Sequence, residues 1–261
     1  MPGVDEYSLV SIPLTLVSIG PSYSSATGFF YVRGNKIFWV SNWHVFSGRN
    51  PISGQPMKSN GSIPEKVVFP LHLKKKLGHW RNGVTVDLCN SSNRPAWLQH
   101  PKGQDIDVAV LPFSNLPDDC TFYEAVRPSE TSDLLFVVGM DVFIVGFPLG
   151  LSKQDIIPVW KRGSVASEPA LPADGLPLFL VDAATREGMS GSPVYARTFG
   201  NAPLEGGGTS MGGDVYTRFL GVYSGRYGAD DEFAAQLGRV WHRSVLDEVI
   251  DQGTPGSYML R

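Results

Sequence analysis

The segment from Asp182 to Val194, which reads DAATREGMSGSPV, constrains this chain more than any other. Its second half has the pattern G-x-S-G-S-P, in which Gly188 and Gly191 flank Ser190. A serine hydroxyl becomes a nucleophile when a tight turn exposes it beside a base, and glycines allow the bend and the close approach of a substrate. The N–H groups of such a turn point to where negative charge develops on an attacked carbonyl. Ser190 is therefore a candidate nucleophile, the alternative being an ordinary Gly/Ser/Pro surface loop.

A histidine that could act as the base follows a predicted β-hairpin. Residues 28–32 (GFFYV) and 37–41 (IFWVS) are apolar, and the turn residues Gly34 and Asn35 lie between them. His44 comes just after the second strand, at a strand end where its ring can lean into a cleft. A single histidine is more often a packed or surface residue than a base, so His44 is a candidate only together with the serine turn.

An acid that could orient the histidine lies in the segment DIDVAVL, residues 105–111. Alternation with a period of two would put Asp105 and Asp107 on the same side of a strand. Only one carboxylate is needed to hold the histidine tautomer and to stabilise its cation. Without the other motifs, both carboxylates would be assigned to a solvated strand edge.

Five segments together resemble the chymotrypsin-like serine peptidases, with motifs nearest to those of HtrA-type proteases and glutamyl endopeptidases. They are residues 25–45, which match a G-x-x-Y hairpin followed by T-x-x-H-V; 107–111, which match D-L-A-V-L; 138–150, which match V-G-x-x-V-x-x-x-G-x-P-L-G; 182–194, which match DAAxNxGNSGGP and GNSGSPV; and 219–226, which match G-V-x-S-W-G. The order His44, Asp107, Ser190 is also that of this family. No segment resembles the PDZ domain of typical HtrA proteins.

The resemblance implies an all-β fold of two six-stranded antiparallel β-barrels with a C-terminal α-helix. We expect an N-terminal barrel in residues 1–115 with His44 and Asp107, a linker in 116–135, and a C-terminal barrel and helix in 136–261 with Ser190. The helix is expected over Val240 to Ile250, whose apolar spacing is amphipathic.

Residues 48–104 are predicted to contain strands and long loops. Strand candidates are residues 66–73 and 84–88. The three histidines of this region have no metal-binding spacing and are interpreted as structural or exposed; they are His72, His79 and His100.

The resemblance also implies a mechanism of peptide-bond hydrolysis. Ser190 would form an acyl-enzyme, and His44 would take its proton and pass it to the leaving amine. Asp107 would orient His44, with Asp105 as the fallback, and the N–H groups of Gly188 and Ser190 would form the oxyanion hole.

The residue before the nucleophile separates this chain from zymogen-activated members of the family. It is Met189, where those members carry an aspartate that pairs with a freed N-terminus. The oxyanion loop must then be ordered by packing or, as in HtrA-type enzymes, by substrate or a partner. The alternative function is a peptidase-fold module that stays latent or non-proteolytic until such ordering occurs.

The substrate-binding pocket can be assigned only through the family register. That register places Ala184 at the pocket base, Thr185 on its wall, and Gly225 and Arg226 across the entrance; Ser224 belongs to the strand that pairs with the substrate backbone. The uncharged base predicts a small or medium apolar residue before the scissile bond, and an acidic residue is the second choice. Glutamyl endopeptidases carry histidine at the position of Tyr223, so acidic specificity is not inherited from them.

Composition restricts the setting and the partners. The net charge of −3 gives no electrostatic reason for binding nucleic acid or a membrane surface, and Lys74–Lys76 with Arg81 are interpreted as a solvated loop tip. Cys89 and Cys120 are too few for a disulfide framework. The N-terminus lacks the pattern of a secretory signal, and no apolar run approaches the ~20 residues of a membrane helix.

We therefore expect a cytoplasmic location and no nucleic-acid or membrane partner. The expected partners are a protein or peptide substrate and an activating protein. No cofactor or metal is expected.

Overall fold

The computed structural model describes residues 3–18, 23–150, 156–226 and 237–258. In chain order its strands are β1 (Ser11–Ser18), β2 (Tyr23–Arg33), β3 (Lys36–Ser41), β4 (Pro64–Leu73), β5 (Trp80–Asp87), β6 (Leu98–Gln99), β7 (Ala109–Phe113), β8 (Cys120–Thr121), β9 (Asp141–Gly146), β10 (Val159–Val165), β11 (Leu178–Asp182), β12 (Pro193–Pro203), β13 (Thr209–Arg226), β14 (Leu237–His242) and β15 (Thr254–Pro255). The α-helices are α1 (Trp43–Ser47) and α2 (Arg243–Gln252). Short 3-10 helices cover Glu6–Leu9, Gly103–Asp105 and Pro148–Gly150.

The strands form two antiparallel sheets, which confirms the all-β fold class. The second sheet closes into a six-stranded barrel in the order β10-β11-β14-β13-β12-β9. The first sheet has nine strands in the order β15-β6-β7-β3-β2-β1-β4-β5, and β8 pairs with β4. It therefore has more strands than the six expected, because two-residue strands from distant segments add to β4, β6 and β7.

The predicted hairpin and the strand candidates in 48–104 are present. The β2–β3 pairing runs from Phe29 with Val40 to Arg33 with Lys36, around the expected turn. The two candidates correspond to β4 and β5, which pair with each other. The division into residues 1–115, 116–135 and 136–261 remains a prediction: β8 lies in the expected linker, and β15 returns to the first sheet.

The C-terminal helix begins later than the expected Val240. Val240 and Trp241 are buried in β14 of the barrel, where apolar β-forming side chains fit a closed sheet. The helix α2 starts at Arg243 and buries Val245, Leu246 and Val249, which lie on one helical face. Of the helices in the described ranges, none is long and apolar enough to cross a membrane.

An apolar cluster joins the two sheets. It contains Phe29 of β2, Val145 of β9, Phe219 of β13 and the buried face of α2. Further clusters fill the first sheet, around Trp39, and the second barrel. Because side chains from both sheets share one buried core, the cleft between them has fixed walls.

The histidines of the 48–104 region have structural or exposed positions. His72 is 3% exposed, and its Nε2 lies 2.8 Å from the Leu9 carbonyl. Burial lowers the pKa of His72 to about 4, although the bond to Leu9 acts in the other direction. His79 is exposed, and Nε2 of the buried His100 lies 3.0 Å from a carboxylate oxygen of Glu248.

Candidate active site

Asp107 holds His44 through both of its carboxylate oxygens. Oδ1 accepts a hydrogen bond from the His44 backbone N–H at 2.9 Å, and Oδ2 lies 2.7 Å from His44 Nδ1. The Asp107 side chain is only 3% exposed. A buried carboxylate at Nδ1 selects the tautomer that carries its proton there, which leaves Nε2 as an acceptor.

Local structure explains why His44 is placed so firmly. It occupies the first turn of α1, which Asn42 precedes in an extended conformation and which Gly48 caps with φ of +68°. The Asn42 side chain is buried and donates from Nδ2 to the Asp107 carbonyl at 2.7 Å. The short helix is therefore tied to the segment that carries the acid.

Asp105 does not take part in this arrangement. It lies at the end of the 3-10 helix Gly103–Asp105 and is exposed, whereas β7 begins only at Ala109. The expectation that Asp105 and Asp107 share one face of a strand is therefore wrong. The turn breaks the period of two before the strand starts.

Ser190 lies beside His44 in the cleft between the sheets. Both residues line a cavity of about 420 Å³ on one side and a second cavity of about 300 Å³ on the other. Within the described residues, no hydrogen bond joins the side chains of His44 and Ser190. Such hydrogen bonds are often long or poorly aligned before substrate binds. The structure therefore brings His44, Asp107 and Ser190 to one place.

The turn before Ser190 directs the Gly188 N–H away from the neighbouring backbone. The Met189 N–H donates to the Arg186 carbonyl at 3.3 Å, and Gly188 has φ of +90°, which are features of a type II turn. The Leu149 N–H donates to the Glu187 carbonyl at 2.7 Å. Because C=O and N–H point in opposite directions across a trans peptide, the Gly188 N–H points away from Leu149.

The Ser190 N–H is oriented in the same way. The Ser192 N–H donates to the Met189 carbonyl at 3.0 Å, so the N–H on the opposite side of that peptide, which belongs to Ser190, points elsewhere. Within the described ranges, the N–H groups of Gly188 and Ser190 donate to no protein group. Two N–H groups of adjacent turns thus remain available beside the candidate nucleophile.

Packing orders the rest of the loop. Met189 is fully buried in the apolar core of the second barrel. Gly191 donates to the Tyr223 carbonyl at 2.9 Å, and Tyr223 donates to the Ser192 carbonyl at the same distance. The nucleophile loop is therefore attached to β13 on one side and to the barrel core on the other.

The smaller cavity corresponds only partly to the expected substrate pocket. Thr185, Ser224, Gly225 and Arg226 line it as expected. Ala184 is exposed and is not among the described residues that line it, so its placement at the pocket base is wrong. The next residue, Thr185, is buried there instead.

Sequence reasoning did not assign several residues that line this cavity, among them Arg186 and Arg239. Tyr223, which it had considered only as the position of the glutamyl endopeptidase histidine, lines the cavity as well. The hydroxyls of Thr185 and Tyr223 form a short hydrogen bond, and burial raises the pKa of Tyr223 even though the charges of Arg226 and Arg239 favour its ionised form. Arg239 reaches the cavity because β14 pairs with β13, a neighbourhood that no local motif indicates.

The larger cavity has a different lining. Leu16, Ala26, Val45, Met57 and Pro64 give it an apolar wall on the side of the first sheet. Over the described part of the chain, no group of three or more His, Cys, Asp or Glu side chains could hold a metal ion.

Comparison with solved structures finds the same fold in serine proteases of low sequence identity. A thermostable serine protease from an extremophilic microorganism is 11% identical with a TM-score of 0.53, and the alignment covers 94% of this chain and 96% of the other. The protease Anisep from Arthrobacter nicotinovorans is 13% identical with a TM-score of 0.52, with coverages of 93% and 94%.

An inactivated protease paralogue of the scabies mite has the fold as well. It is 13% identical with a TM-score of 0.51, and 96% of each chain is covered. These likenesses show the fold and leave the activity to be argued from the site.

Sequence comparison identifies the family directly. Among curated proteins, no sequence matches this chain significantly. Residues 26–201, however, match the family described as Trypsin-like peptidase domain. This match covers most of the chain and includes His44, Asp107 and Ser190, so the protein belongs to the trypsin-like peptidase domain family.

Proposed function

We propose that this protein is a serine endopeptidase that acts through His44, Asp107 and Ser190. The observation that carries the proposal is the buried Asp107 carboxylate, which holds both the backbone and the ring of His44 in the cleft that Ser190 lines. A histidine oriented in this way, beside a serine on a glycine-flanked turn, is suited to activating a hydroxyl.

In the proposed reaction, His44 Nε2 takes the Ser190 proton as the hydroxyl oxygen attacks the peptide carbonyl. The tetrahedral intermediate places its negative oxygen at the N–H groups of Gly188 and Ser190. His44 then gives the proton to the leaving amine, which leaves Ser190 acylated. Water activated by the same imidazole hydrolyses the ester and restores the free hydroxyl.

The conformation of the turn supports activity without a separate activating step. Glu187 already points its carbonyl toward Leu149, and Met189 is already packed in the barrel core. A latent module that waits for a partner would lack this arrangement at rest. We therefore favour the active enzyme over the latent or non-proteolytic alternative.

We further propose that the enzyme prefers an acidic residue before the scissile bond. The described lining of the smaller cavity contains Arg186, Arg226 and Arg239 against a single acidic residue, Glu187. Guanidinium groups bind carboxylates well because their planar fork matches the two oxygens. The positive charge of these three arginines favours an acidic residue over an apolar one. The prediction of an apolar residue depended on Ala184 at the pocket base.

The activity is tested with a fluorophosphonate probe on the wild type and on Ser190→Ala. A single adduct on the wild type alone, together with cleavage of a casein or peptide-library substrate, supports the proposal. We expect Ser190→Ala to lower the cleavage rate by about 10³-fold or more. Absence of an adduct and of cleavage in the well-folded wild type would favour the latent module.

The acidic preference is tested with matched fluorogenic peptides that differ only in Glu, Gln, Leu or Lys before the scissile bond. We expect kcat/KM to be highest for Glu, and Arg226→Glu to reduce the Glu-to-Gln ratio. The control is Arg162→Glu, because Arg162 is an exposed arginine of the same barrel that pairs with Asp141. Equal rates for Glu and Gln peptides would reject the acidic preference while leaving the peptidase activity standing.

A further inference from the structure

One buried hydroxyl of the first sheet contacts the nucleophile loop of the second barrel. Thr27 lies on β2 and is fully buried. Its Oγ1 donates to the Gly188 carbonyl at 2.8 Å and accepts from the Phe147 N–H at 3.1 Å. Its backbone N–H donates to the Ser190 carbonyl at 2.9 Å. A single residue thus contacts the oxyanion turn, the nucleophile and the end of β9.

The hydroxyl acts on a residue with unusual rotational freedom. Gly188 is the third residue of the Arg186–Met189 turn, and glycine rotates about φ and ψ with little steric cost. Three hydrogen bonds limit this freedom: Leu149 holds the peptide before Gly188, whereas the Thr27 hydroxyl and the Arg186 carbonyl hold the peptide after it. The bond from Thr27 is the shorter of the two on that peptide, 2.8 Å against 3.3 Å, and its loss would let the Gly188 carbonyl rotate and shift the adjoining N–H.

Close packing shows that the contact depends on Thr27 in its present position. A Cβ on Gly191 would lie 2.1 Å from the Thr27 carbonyl, and a Cβ on Gly146 would lie 2.9 Å from Thr27 Oγ1. The Thr27 carbonyl also accepts a hydrogen bond from Ser41 Oγ at 2.9 Å. Thr27 is therefore fixed through both its backbone and its side chain, and it can keep the Arg186–Met189 turn in place.

We propose that Thr27 is a positioning residue of the active site, whose hydroxyl keeps the Gly188 N–H in the orientation that binds the oxyanion. The proposal rests on the proposed function, because it concerns the oxyanion hole of the same reaction. Thr27 is fully buried and lines neither of the two cavities, so it would act through Gly188. Its hydroxyl should therefore matter to the rate of acylation and little to the binding of the ground-state substrate.

A matched control is available in the neighbouring strand. Ser11 of β1 is also fully buried, and its hydroxyl also crosses between the sheets, donating to the Val145 carbonyl at 2.6 Å. No hydrogen bond of the Ser11 side chain reaches the nucleophile loop within the described residues. Ser11→Ala thus reports what loss of a buried hydroxyl between the sheets does by itself.

The experiment compares Thr27→Val, Thr27→Ser and Ser11→Ala with the wild type. We expect Thr27→Val to lower kcat about 10-fold to 100-fold with KM nearly unchanged, because a misaligned oxyanion donor weakens only the transition state. The affinity for a peptide boronic acid, which forms a tetrahedral adduct, should fall in parallel. Thr27→Ser should restore most of the activity. Ser11→Ala should keep the wild-type kcat even if its melting temperature falls as much as that of Thr27→Val.

Two further results decide the proposal, and the first of them is independent of catalysis. A crystal structure of Thr27→Val should show a displaced Gly188 carbonyl and a Gly188 N–H turned from its wild-type direction; an unchanged turn would overturn the proposal even if the wild type proved inactive. Equal losses of kcat in Thr27→Val and Ser11→Ala at equal loss of stability would overturn it as well. An inactive wild type with a rotated turn in Thr27→Val would reject the proposed function alone.

Discussion

At the scale of single residues, the pairing of Asp107 with His44 is the most informative contact. One carboxylate oxygen binds the backbone of His44 and the other binds its ring. The first hydrogen bond fixes the position of His44, and the second fixes the tautomer of its ring. An amide at position 107 could keep the first function, but its NH₂ group would favour the wrong tautomer.

We therefore expect Asp107→Asn to fold normally and to lower kcat by about 10³-fold to 10⁴-fold. The control is Asp105→Asn, because Asp105 is an exposed acid two residues away on the 3-10 helix. Steady-state kinetics and the rate of fluorophosphonate labelling measure the effect. A comparable loss in Asp105→Asn would contradict the assignment of the acid.

His72 gives a prediction about stability. Burial lowers its pKa to about 4 in the folded protein, whereas an unfolded chain has the ordinary value of 6.5. The unfolded state therefore binds more protons between these values, so stability is fully present above pH 6.5 and is lost as pH falls toward 4. The expected loss from this group is about 3 kcal/mol at most.

Urea unfolding at several pH values measures this effect. His72→Gln should flatten the dependence of the free energy of unfolding on pH between about 4 and 6.5. His79→Gln is the matched control, since His79 is exposed in the loop that follows β4, the strand that carries His72. An unaltered pH dependence in His72→Gln would refute the assignment of this titration to His72.

At the scale of elements, the oxyanion turn depends on glycine for two separate reasons. Gly188 has φ of +90°, which disfavours any side chain, and a Cβ there would also lie 2.4 Å from the Phe147 carbonyl. Gly139 has a similar φ of +83°, but a Cβ there would meet nothing within 4 Å. Alanine at position 139 therefore introduces backbone strain alone, whereas alanine at position 188 introduces backbone strain and a steric collision.

Gly188→Ala should abolish labelling by the fluorophosphonate probe or slow it by about 100-fold or more, because the turn must move to relieve the collision. Gly139→Ala should cost about 1 kcal/mol of stability through its positive φ and leave labelling unchanged. Probe kinetics and thermal unfolding of both variants supply the comparison. Normal labelling of Gly188→Ala would mean that this turn does not form the oxyanion hole.

Local sequence patterns predicted the strands and turns better than they predicted which side chains from distant segments come into contact. The hairpin around Gly34 and the serine turn follow from short-range chemistry, in which glycine allows conformations that other residues avoid. Asp107 required a family motif, because alternation alone did not distinguish it from Asp105. The 3-10 helix that ends at Asp105 and keeps it out of the strand has no clear signal in the segment DIDVAVL.

Local sequence patterns could not predict the contacts that complete the site. Thr27 and Gly188 are 161 residues apart in the chain, and Arg239 approaches Tyr223 only through the pairing of β13 with β14. Side chains that meet in this way share no local periodicity. Their roles emerge only when both sheets are assembled.

At the scale of the whole molecule, the shared apolar core holds the two sheets together. Leu246 of α2 is fully buried in the cluster that also contains Phe29 and Phe219. Truncation to alanine leaves a cavity at this junction, and such cavities cost about 2–5 kcal/mol.

We expect Leu246→Ala to lower the melting temperature strongly while the folded fraction keeps a normal KM and kcat at low temperature. Gln252→Ala is the control because Gln252 is exposed at the end of the same helix. Calorimetry and kinetics on the same samples check the result. An altered KM at a temperature where the variant is fully folded would show that α2 also shapes the cleft directly.

The return of the C-terminal segment to the first sheet has a consequence for how the molecule comes apart. After the second barrel, α2 contacts β2 through a hydrogen bond of 2.9 Å from the Tyr31 hydroxyl to Asp247, and β15 then pairs with β6. The chain thus leaves the first sheet, builds the barrel and comes back. A protease that cut the chain between β8 and β9 would produce two fragments that stay associated, since the second fragment supplies an edge strand to the first. A nick there would leave a two-chain protein in which His44, Asp107 and Ser190 still share one cleft.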